Sequence, residues 1–331
     1  MASTHVLPRY RVAVVGTGAV GGYYGGKLAY YGREVHFLVR SEAERAAMKR
    51  FGLQVKSKTD AFRVAKVHTH ATTDTIGPCD LVLIALKATA NDALPALLAP
   101  LLEPDTLLLT LQNGLGNEEF LSERYGAERV LGGLCFVCLR KFAPGVVEHQ
   151  GHGAMTLGEF GGWPRPRTHD VAWEFKRCGV TARVVASLAE ARWRKLVWNI
   201  PFNGLTILAT ALRPPGAPPV STADLLADPH WEYLTRCLMD EVIAAGRKQG
   251  FHIPGDFADL QFKRTREMGH YLPSTLLDHV AGRPLELDAI WAEPYRRAFN
   301  AGAEVGRLET LLCALRALTD SSSLRPSDQP T

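Results

Sequence analysis

The sequence contains no long uninterrupted run of apolar residues. Its longest apolar segments, such as Leu81–Leu86, are far shorter than the roughly 20 residues with which a helix spans a bilayer. The first residues, Met1–His5, lack the basic region and apolar core of a secretory signal peptide. We therefore expect a cytoplasmic protein with no membrane partner, whose six cysteines are reduced.

Charge of one sign is nowhere concentrated. The net charge is +4, and lysine and arginine are scattered rather than clustered. A nucleic-acid-binding surface requires a dense basic patch, so nucleic acid is not expected as a partner. A mildly positive chain still favours small anionic ligands.

The spacing expected of a zinc site is also lacking. Cys135 and Cys138 are followed by His149 and His152, but the residues between them predict a strand that turns at Pro144-Gly145. In a strand the two cysteines point to opposite faces, and the two histidines are closer than in a zinc finger. We predict no metal site, and we expect both cysteines to behave as small buried hydrophobic residues.

The length of the chain indicates two domains. Its 331 residues, 46% of them hydrophobic, exceed what one hydrophobic core usually spans. Strand and helix patterns alternate through the first part, whereas strand signals fade after about residue 185. We predict an α/β domain with a Rossmann-type parallel sheet over residues 1–185 and an all-helical domain over residues 186–331. A disordered tail is expected from about residue 320.

A glycine-rich turn follows the first predicted strand. Its sequence is Gly16-Thr17-Gly18-Ala19-Val20-Gly21, and the surrounding elements are strand Tyr10–Val15, helix Gly22–Tyr31 and strand Glu34–Val39. In this setting Gly16 permits the tight turn, Gly18 lets the backbone approach a pyrophosphate, and Gly21 allows close packing of helix and strand. The helix N-terminus favours the phosphates. The turn therefore predicts dinucleotide binding by residues 16–21.

The second predicted strand ends without the carboxylate that NAD-preferring sites use to bind the ribose 2′-hydroxyl. It ends instead in Leu38-Val39-Arg40-Ser41. The planar guanidinium of Arg40 can pair with a 2′-phosphate through two hydrogen bonds. We therefore predict NADP(H) as the cofactor.

Two further apolar strands end at polar residues. Asp80–Leu86 precedes Lys87, and Thr106–Leu111 precedes Gln112-Asn113-Gly114. Ligands of open α/β sheets bind beyond the carboxyl ends of the strands. One shared crevice is therefore predicted to contain Gly16, Arg40, Lys87 and Asn113.

The second domain reads as a series of helices. They are predicted over Leu188–Leu212, Thr222–Leu226, Trp231–Gly250, Phe257–Met268, Thr275–Ala281, Leu287–Ala301 and Leu308–Leu318. A nucleotide-binding domain followed by a helical domain is expected to leave a cleft between them, which is a common place for a small-molecule site.

Three polar residues interrupt the first of these helices at intervals of four: Lys195, Asn199 and Asn203. Four residues advance a helix by about 400°, so the three share one face. Their neighbours are leucine, valine, tryptophan, isoleucine and phenylalanine. A lysine and two amides in such surroundings cost free energy unless a polar group opposes them, so this face predicts a ligand site.

Together these motifs resemble the ketopantoate reductases (2-dehydropantoate 2-reductases) over roughly residues 10–318. The matching segments are residues 16–21, Leu86-Lys87, Gln112-Asn113-Gly114, Trp193-Arg194-Lys195 with Asn199 and Asn203, and Ser274-x3-Asp278 with residues 282–288. The resemblance implies that Lys195 is the general acid. It also implies that the asparagines, including Asn113, and Ser274 hold the substrate, and that Glu286 bridges substrate and cofactor.

The resemblance implies the NADPH-dependent reduction of a 2-oxo acid, namely 2-dehydropantoate, in pantothenate and coenzyme A biosynthesis, and it makes a homodimer an expectation. The chain departs from the family pattern at Ala90, in the segment Ala211–Pro219, which has no asparagine, and around Trp291-Ala292-Glu293. These departures leave open a paralogous enzyme that acts on another 2-oxo acid, and a β-hydroxyacid or opine dehydrogenase. A non-catalytic NADP(H) sensor is a further alternative, but a sensor has no need of Lys195 and Glu286.

Overall fold

The computed structural model describes residues 10–323 of the chain, which contain ten strands and twelve α-helices. The strands are β1 (Val12–Val15), β2 (Val35–Leu38), β3 (Leu53–Ser57), β4 (Phe62–Val64), β5 (His68–His70), β6 (Leu81–Ile84), β7 (Leu107–Thr110), β8 (Val130–Ala143), β9 (Val146–Glu159) and β10 (Ala182–Val184). The helices are α1 (Ala19–Tyr30), α2 (Glu42–Phe51), α3 (Leu94–Leu98), α4 (Asn117–Tyr125), α5 (Pro166–Arg177), α6 (Leu188–Ala211), α7 (Thr222–Ala227), α8 (Pro229–Lys248), α9 (Phe257–Met268), α10 (Ser274–Val280), α11 (Glu293–Asn300) and α12 (Gly306–Ser323).

All ten strands belong to one mixed sheet, in the order β4-β3-β9-β8-β7-β6-β1-β2-β5, with β10 paired to β9. The run from β8 to β5 is parallel throughout, with Val12 of β1 opposite Val35 of β2 and Leu81 of β6. Two pairs are antiparallel, β3 with β4 and the long hairpin of β8 with β9. This arrangement confirms the predicted Rossmann-type α/β fold.

The central strands β1 and β6 are apolar at every position because both faces of the sheet are covered. In β1, Val12 and Val14 pack into one hydrophobic cluster, whereas Ala13 and Val15 pack into another. Side chains alternate between the faces of a strand, so each apolar run contributes to two cores at once. This burial explains why the strands were recognisable in the sequence as continuous apolar segments.

The chain divides into two compact units. One comprises the residues up to Asn113 together with Asn117–Leu188, and the other comprises Gly114–Gly116 together with the residues from Ala189 onward. Each unit has its own hydrophobic core, and the core of the second includes the buried indoles of Trp193 and Trp291. The second unit is helical, as predicted for the C-terminal part of the chain.

Two predicted helical segments differ from the observed ones. The segment predicted over Leu287–Ala301 consists of a π-helical turn, Asp288–Ala292, followed by α11. The last helix, α12, extends to Ser323, so it includes the start of the tail that we expected from about residue 320. The remainder of that tail lies outside the described residues.

Within residues 10–323, every helix is too short or too polar to cross a bilayer.

Candidate functional site

The glycine-rich turn joins β1 to α1 in the first unit. Gly16 has a φ of +108°, and a Cβ added to it would lie 2.5 Å from the backbone nitrogen of Leu86. A Cβ added to Gly21 would lie 2.2 Å from the carbonyl oxygen of Gly16. A side chain at Gly16 would therefore push the turn away from the backbone that follows β6, and one at Gly21 would collide with the turn itself.

Gly18 differs from Gly16 and Gly21, because a side chain added to it would point into open space and not toward backbone atoms. Its backbone is extended, with φ −81° and ψ −156°, and a Cβ added to it would meet no atom within 4 Å among the described residues. This space lies at the N-terminus of α1, where backbone N–H groups and the helix dipole favour phosphate. The turn formed by residues 16–21, which includes Thr17, Ala19 and Val20, thus fits the pyrophosphate of a dinucleotide.

The turn is tied to the end of β2. The Thr17 hydroxyl donates to the carbonyl oxygen of Leu38 at 2.8 Å, and Arg45 donates to the carbonyl oxygen of Arg40 at 2.8 Å. Arg40 itself is exposed. Among residues 10–323 no carboxylate pairs with it. The backbone after β2 is therefore held in place while the Arg40 guanidinium remains available to a ligand.

Lys87 and Asn113 follow β6 and β7, and both are half-buried. The carbonyl oxygen of Lys87 accepts from the N–H of Ala90 at 2.9 Å, within the short 3₁₀ turn that follows. The strands β7, β6, β1 and β2 are parallel neighbours, so their carboxyl ends lie on the same side of the sheet. The residues that follow these four strands therefore lie along that side. Those residues are Asn113, Lys87, Gly16 and Arg40.

A chain of side-chain amides connects the loops that contain Lys87 and Asn113. The Thr110 hydroxyl donates to Gln112 Oε1 at 3.0 Å, and Gln112 Nε2 donates to Asn91 Oδ1 at 2.8 Å. Asn91 Nδ2 donates to Asn117 Oδ1 at 3.0 Å, and Asn117 Nδ2 donates to the carbonyl oxygen of Asn113 at 2.9 Å. Each amide both accepts and donates, so this amide chain fixes the two loops relative to each other.

Two members of the amide chain, Asn91 and Asn117, were not among the predicted site residues. Asn117 is almost fully buried and begins α4, and Asn91 lies in the 3₁₀ turn after Lys87. The available signal was the presence of an amide four residues beyond Lys87 and another four residues beyond Asn113. That signal is weak because either amide would also suit a turn.

In the second unit, α6 carries Lys195, Asn199 and Asn203 at the predicted spacing of four residues. Lys195 is half-buried, whereas Asn199 is 6% exposed and Asn203 is 3% exposed. An amide placed among apolar residues is tolerated where polar groups or water meet it, and a polar ligand can take that place.

Asn203 has partners within the chain. Its Nδ2 donates to the carbonyl oxygen of Asn199 at 3.0 Å, and its Oδ1 accepts from the N–H of Thr275 at 3.2 Å. Thr275 follows Ser274 at the start of α10, where backbone N–H groups need an acceptor. Asn203 therefore holds the start of α10, with Ser274 exposed beside it, against α6. Its predicted contact with substrate stays a prediction.

Glu286 is only 3% exposed and immediately precedes the helical segment that begins at Leu287. In the π-helical turn beyond it, the indole N–H of Trp291 donates to the carbonyl oxygen of Ile200 on α6 at 3.1 Å. In the same turn, the carbonyl oxygen of Ala289 accepts a hydrogen bond from the N–H of Leu115 at 2.9 Å. Hydrogen bonds thus join α6 to the segments that contain Ser274 and Glu286.

No group of three histidine, cysteine, aspartate or glutamate side chains suited to a metal ion occurs within residues 10–323. Cys135 and Cys138 lie on β8, opposite Met155 and Gly151 of β9. The predicted site residues fall into one set in each unit.

Two family models match the chain. The model described as "Ketopantoate reductase PanE/ApbA" matches residues 12–162, and "Ketopantoate reductase PanE/ApbA C terminal" matches residues 187–319. The chain is 36% identical to the 2-dehydropantoate 2-reductase of Nostoc sp., over 93% of this chain and 95% of that protein.

Solved structures agree with these matches. The crystal structure of 2-dehydropantoate 2-reductase from Geobacter metallireducens is 40% identical, with a TM-score of 0.87, and covers 93% of this chain and 100% of that one. D-mandelate dehydrogenase in a ternary structure with NADH and anilino(oxo)acetate has a TM-score of 0.81 and covers 95% of this chain and 99% of that one. Its sequence identity is 21%, so this second similarity concerns the fold alone.

Proposed function

We propose, because the chain belongs to the ketopantoate reductase family, that it catalyses the NADPH-dependent reduction of 2-dehydropantoate to pantoate. Members of this family are oxidoreductases that act on CH–OH groups with a nicotinamide cofactor, and the chain is such an oxidoreductase. The observation that carries the substrate assignment is the polar face of α6, joined by hydrogen bonds to the segments of Ser274 and Glu286.

The first unit is proposed to hold the cofactor. Residues 16–21 and the N-terminus of α1 suit the pyrophosphate, and Arg40 suits the 2′-phosphate. Lys87 and Asn113, which follow neighbouring parallel strands, are proposed to contact polar parts of the cofactor, and Glu286 is proposed as a further cofactor contact. NADPH, when bound, supplies the hydride.

Lys195 is proposed as the general acid. Reduction of a 2-oxo acid places negative charge on the carbonyl oxygen, and an ammonium group stabilises that charge and donates the proton. Lys195 is half-buried among apolar residues of α6, where water screens its charge less than in bulk solvent. This side chain therefore combines the two tasks that the carbonyl oxygen requires.

The amides and the hydroxyl of the second unit are proposed to grip the substrate. Asn199 and Ser274 offer neutral donors and acceptors to a carboxylate and to a distal hydroxyl. Asn203 contributes at least by holding the start of α10, since its Oδ1 accepts from the Thr275 N–H. The buried Glu286 carboxylate suits a role as acceptor of a substrate hydroxyl.

The preference for NADPH over NADH is assigned to Arg40 and is tested by Arg40→Asp. The substitution removes the guanidinium and introduces a carboxylate that repels a 2′-phosphate but accepts from a 2′-hydroxyl. We expect KM for NADPH to rise by about tenfold or more, with little or no rise for NADH. Arg50→Asp at the far end of α2 makes the same change of charge and serves as the control. An unchanged preference in Arg40→Asp would remove Arg40 from cofactor selection.

The substrate assignment is tested with the purified full chain. NADPH oxidation is measured over a series of substrate concentrations for each 2-oxo acid of a panel. The panel contains 2-dehydropantoate, 2-oxoisovalerate, pyruvate and a phenyl-substituted 2-oxo acid. We expect the highest kcat/KM with 2-dehydropantoate, because the distal hydroxyl adds a hydrogen bond that the others lack. A higher kcat/KM with another member would reassign the substrate, and no oxidation with any would contradict the proposed reaction.

The partners and the compartment complete the proposal. The partner is a small anionic 2-oxo acid, and the compartment is the cytoplasm, where NADPH is available to reductases. A homodimer is also proposed, with a mass in solution of twice the 36.3 kDa chain. Light scattering on the purified protein measures that mass directly, and a mass equal to one chain would contradict the dimer.

A further inference from the structure

Two acidic residues, Glu42 and Glu44, occupy the first turn of α2. This turn comes immediately after Arg40 and after Ser41, which is the N-cap residue of α2. Acids at a helix N-terminus favour the helix, but here they follow the strand end at which we propose that a 2′-phosphate binds. Without compensation, two carboxylates at this place would repel the phosphate and oppose Arg40.

The structure pairs each of these carboxylates with a cation. Arg45 contacts the Glu42 carboxylate and donates to the carbonyl oxygens of Val39 and Arg40 at 2.7 and 2.8 Å. Lys141, which comes from the distant hairpin of β8 and β9, contacts the Glu44 carboxylate. With Arg40, the three cations outnumber the two carboxylates, and Lys141 supplies the excess.

The Lys141 side chain is held in this position by further contacts within the chain. Its ammonium group also donates to the carbonyl oxygen of Thr17 in the glycine-rich turn at 3.1 Å. Glu44 Oε1 accepts a second hydrogen bond from the N–H of Gly145 at 3.2 Å, in the turn of the same hairpin. The side chains of Lys141 and Glu44 are 31% and 15% exposed, so water screens the pair only in part.

We infer that Lys141 is a specificity-determining positioning residue that keeps the end of β2 electropositive and so favours a cofactor with a 2′-phosphate. Its ammonium neutralises Glu44 and holds the Thr17 carbonyl oxygen, so that Arg40 and the glycine-rich turn meet the cofactor without an opposing carboxylate. Loss of Lys141 makes the local charge zero. This inference rests on the proposed use of NADPH.

The test measures binding, not turnover. Dissociation constants for NADPH and for NADH are determined by titrating cofactor fluorescence with the full chain, for the wild type, Lys141→Met, Lys141→Arg, Glu44→Gln and the double variant Lys141→Met/Glu44→Gln. We expect Lys141→Met to raise Kd for NADPH by about tenfold and Kd for NADH by less than about threefold. Lys141→Arg retains the charge, so its Kd for NADPH should stay within about threefold of the wild type.

The double variant separates charge from mechanical support. It still lacks the Lys141 contact with Thr17, but the uncompensated carboxylate is gone. Recovery of the NADPH Kd to within about threefold of the wild type therefore isolates the charge effect. Glu44→Gln alone should bind NADPH at least as tightly as the wild type, which keeps the inference testable if Lys141→Met folds poorly.

Arg140→Met provides the matched control. Arg140 precedes Lys141 on the same strand, points to the opposite face and pairs with Glu148 at 3.4 Å. It should leave both dissociation constants unchanged. Equal weakening of NADPH and NADH in Lys141→Met, or no recovery in the double variant, would overturn the inference while leaving the proposed reaction intact. A wild type that does not prefer NADPH would instead contradict the proposed cofactor.

Discussion

Lys195 and Asn199 lie one helical turn apart on α6, yet the structure gives them different surroundings. Lys195 is half-buried, whereas Asn199 is almost fully buried. A ligand that approaches this face meets a cation and an amide that can both donate and accept hydrogen bonds. The two side chains therefore suit one substrate that carries both a developing oxyanion and a neutral polar group.

Removal of the Lys195 ammonium should affect chemistry more than cofactor binding. We expect Lys195→Ala to lower kcat by about 100-fold or more, because both the proton donor and the positive charge are lost. NADPH should still bind with a Kd within about threefold of the wild type, as measured by fluorescence titration. Lys263→Ala, on the exposed surface of α9 in the same unit, is the control and should keep full activity. Near-normal turnover in Lys195→Ala would exclude Lys195 as the general acid.

A single buried hydroxyl in the second unit is expected to lower the free energy of unfolding. Thr275 Oγ1 is fully buried and is the one buried side-chain oxygen or nitrogen in residues 10–323 that lacks a hydrogen-bond partner. Thr275→Val replaces the hydroxyl with a methyl group of similar shape, so we expect the free energy of unfolding to rise by about 1 kcal/mol. Urea denaturation measures the change.

The control for this substitution is Thr206→Val. Thr206 is equally buried, but its hydroxyl donates to the carbonyl oxygen of Phe202 at 2.6 Å. The valine here loses a hydrogen bond, so stability should fall or stay the same. A loss of stability in Thr275→Val as large as that in Thr206→Val would show that the Thr275 hydroxyl has a favourable role.

At the scale of elements, the glycine-rich turn separates fold from binding. Gly16 and Gly21 meet backbone atoms of the chain, whereas Gly18 faces open space. The fold therefore requires glycine at positions 16 and 21, whereas glycine at position 18 is proposed to be required by the approach of the cofactor. Substitution at each position should distinguish these two requirements.

Gly18→Ala should weaken cofactor binding without weakening the fold. The methyl group meets no atom of the described chain, and φ at this position is −81°, so the ligand-free melting temperature should stay within about 2 °C. We expect Kd for NADPH to rise by at least about tenfold, because the methyl group occupies space at the N-terminus of α1. Differential scanning fluorimetry and fluorescence titration measure the two effects.

Gly21→Ala is the contrasting variant. Its Cβ would lie 2.2 Å from the Gly16 carbonyl oxygen, so the turn must shift and the melting temperature should fall. If both variants lowered the melting temperature equally, Gly18 would be structural and its proposed role would be wrong.

Most elements were predictable from the sequence because each satisfies a local pattern. The apolar runs of β6 and β7 indicated strands buried on both faces, and the helix predicted over Phe257–Met268 coincides with α9. Likewise, the polar spacing on α6 was visible in a single stretch of residues. The predictions failed at the π-helical turn Asp288–Ala292. A π-helical turn contains one more residue than an α-helical turn, and this insertion leaves no clear periodic signal in the sequence.

The contacts that hold the site together could not be predicted, because they join residues that are far apart in the chain. Asn203 meets Thr275 across 72 positions, and Lys141 meets Thr17 across 124. Nothing in the local sequence of Lys141 distinguishes it from its exposed neighbour Arg140. The same limit applies to the amide chain, in which the partners of Asn91 follow another strand.

At the scale of the whole molecule, stability should depend on pH through a histidine cluster at the edge of the sheet. The ring Nδ1 of His36 lies 3.0 Å from Nε2 of His70, and its Nε2 lies 3.0 Å from the Glu34 carboxylate. Burial lowers the pKa of His36 and of His70 below the ordinary value of 6.5, and nearby Arg11 and His68 lower them further. The Glu34 carboxylate opposes the shift of the His36 pKa without reversing it. The folded protein therefore binds these protons more weakly than the unfolded chain does.

The sign of the pH effect follows from that difference. Well above pH 6.5 these histidines are neutral in both states and add no slope, whereas as the pH falls through 6.5 the unfolded chain gains protons first, so stability falls. We expect the free energy of unfolding to be lower at pH 5.5 than at pH 7. Carboxylates with lowered pKa values, such as Glu34, act only at more acidic pH.

Urea denaturation at a series of pH values measures this slope. His36→Gln should reduce it, whereas His230→Gln, at an exposed position of α8, should leave it unchanged. A slope that is the same in His36→Gln and in the wild type would assign the pH dependence to other groups.

The indole of Trp291, bonded to the Ile200 carbonyl oxygen, gives the molecule an optical consequence. Trp193 and Trp291 are fully buried in the second unit, whereas the tryptophans of the first unit, Trp163 and Trp173, are 77% and 52% exposed. An indole shielded from water emits at shorter wavelength than a hydrated one. Trp198 and Trp231 of the second unit are partly buried. The blue edge of the intrinsic emission thus reports on the unit that contains Lys195, and the emission most accessible to iodide comes from Trp163 and Trp173 in the unit that contains the glycine-rich turn.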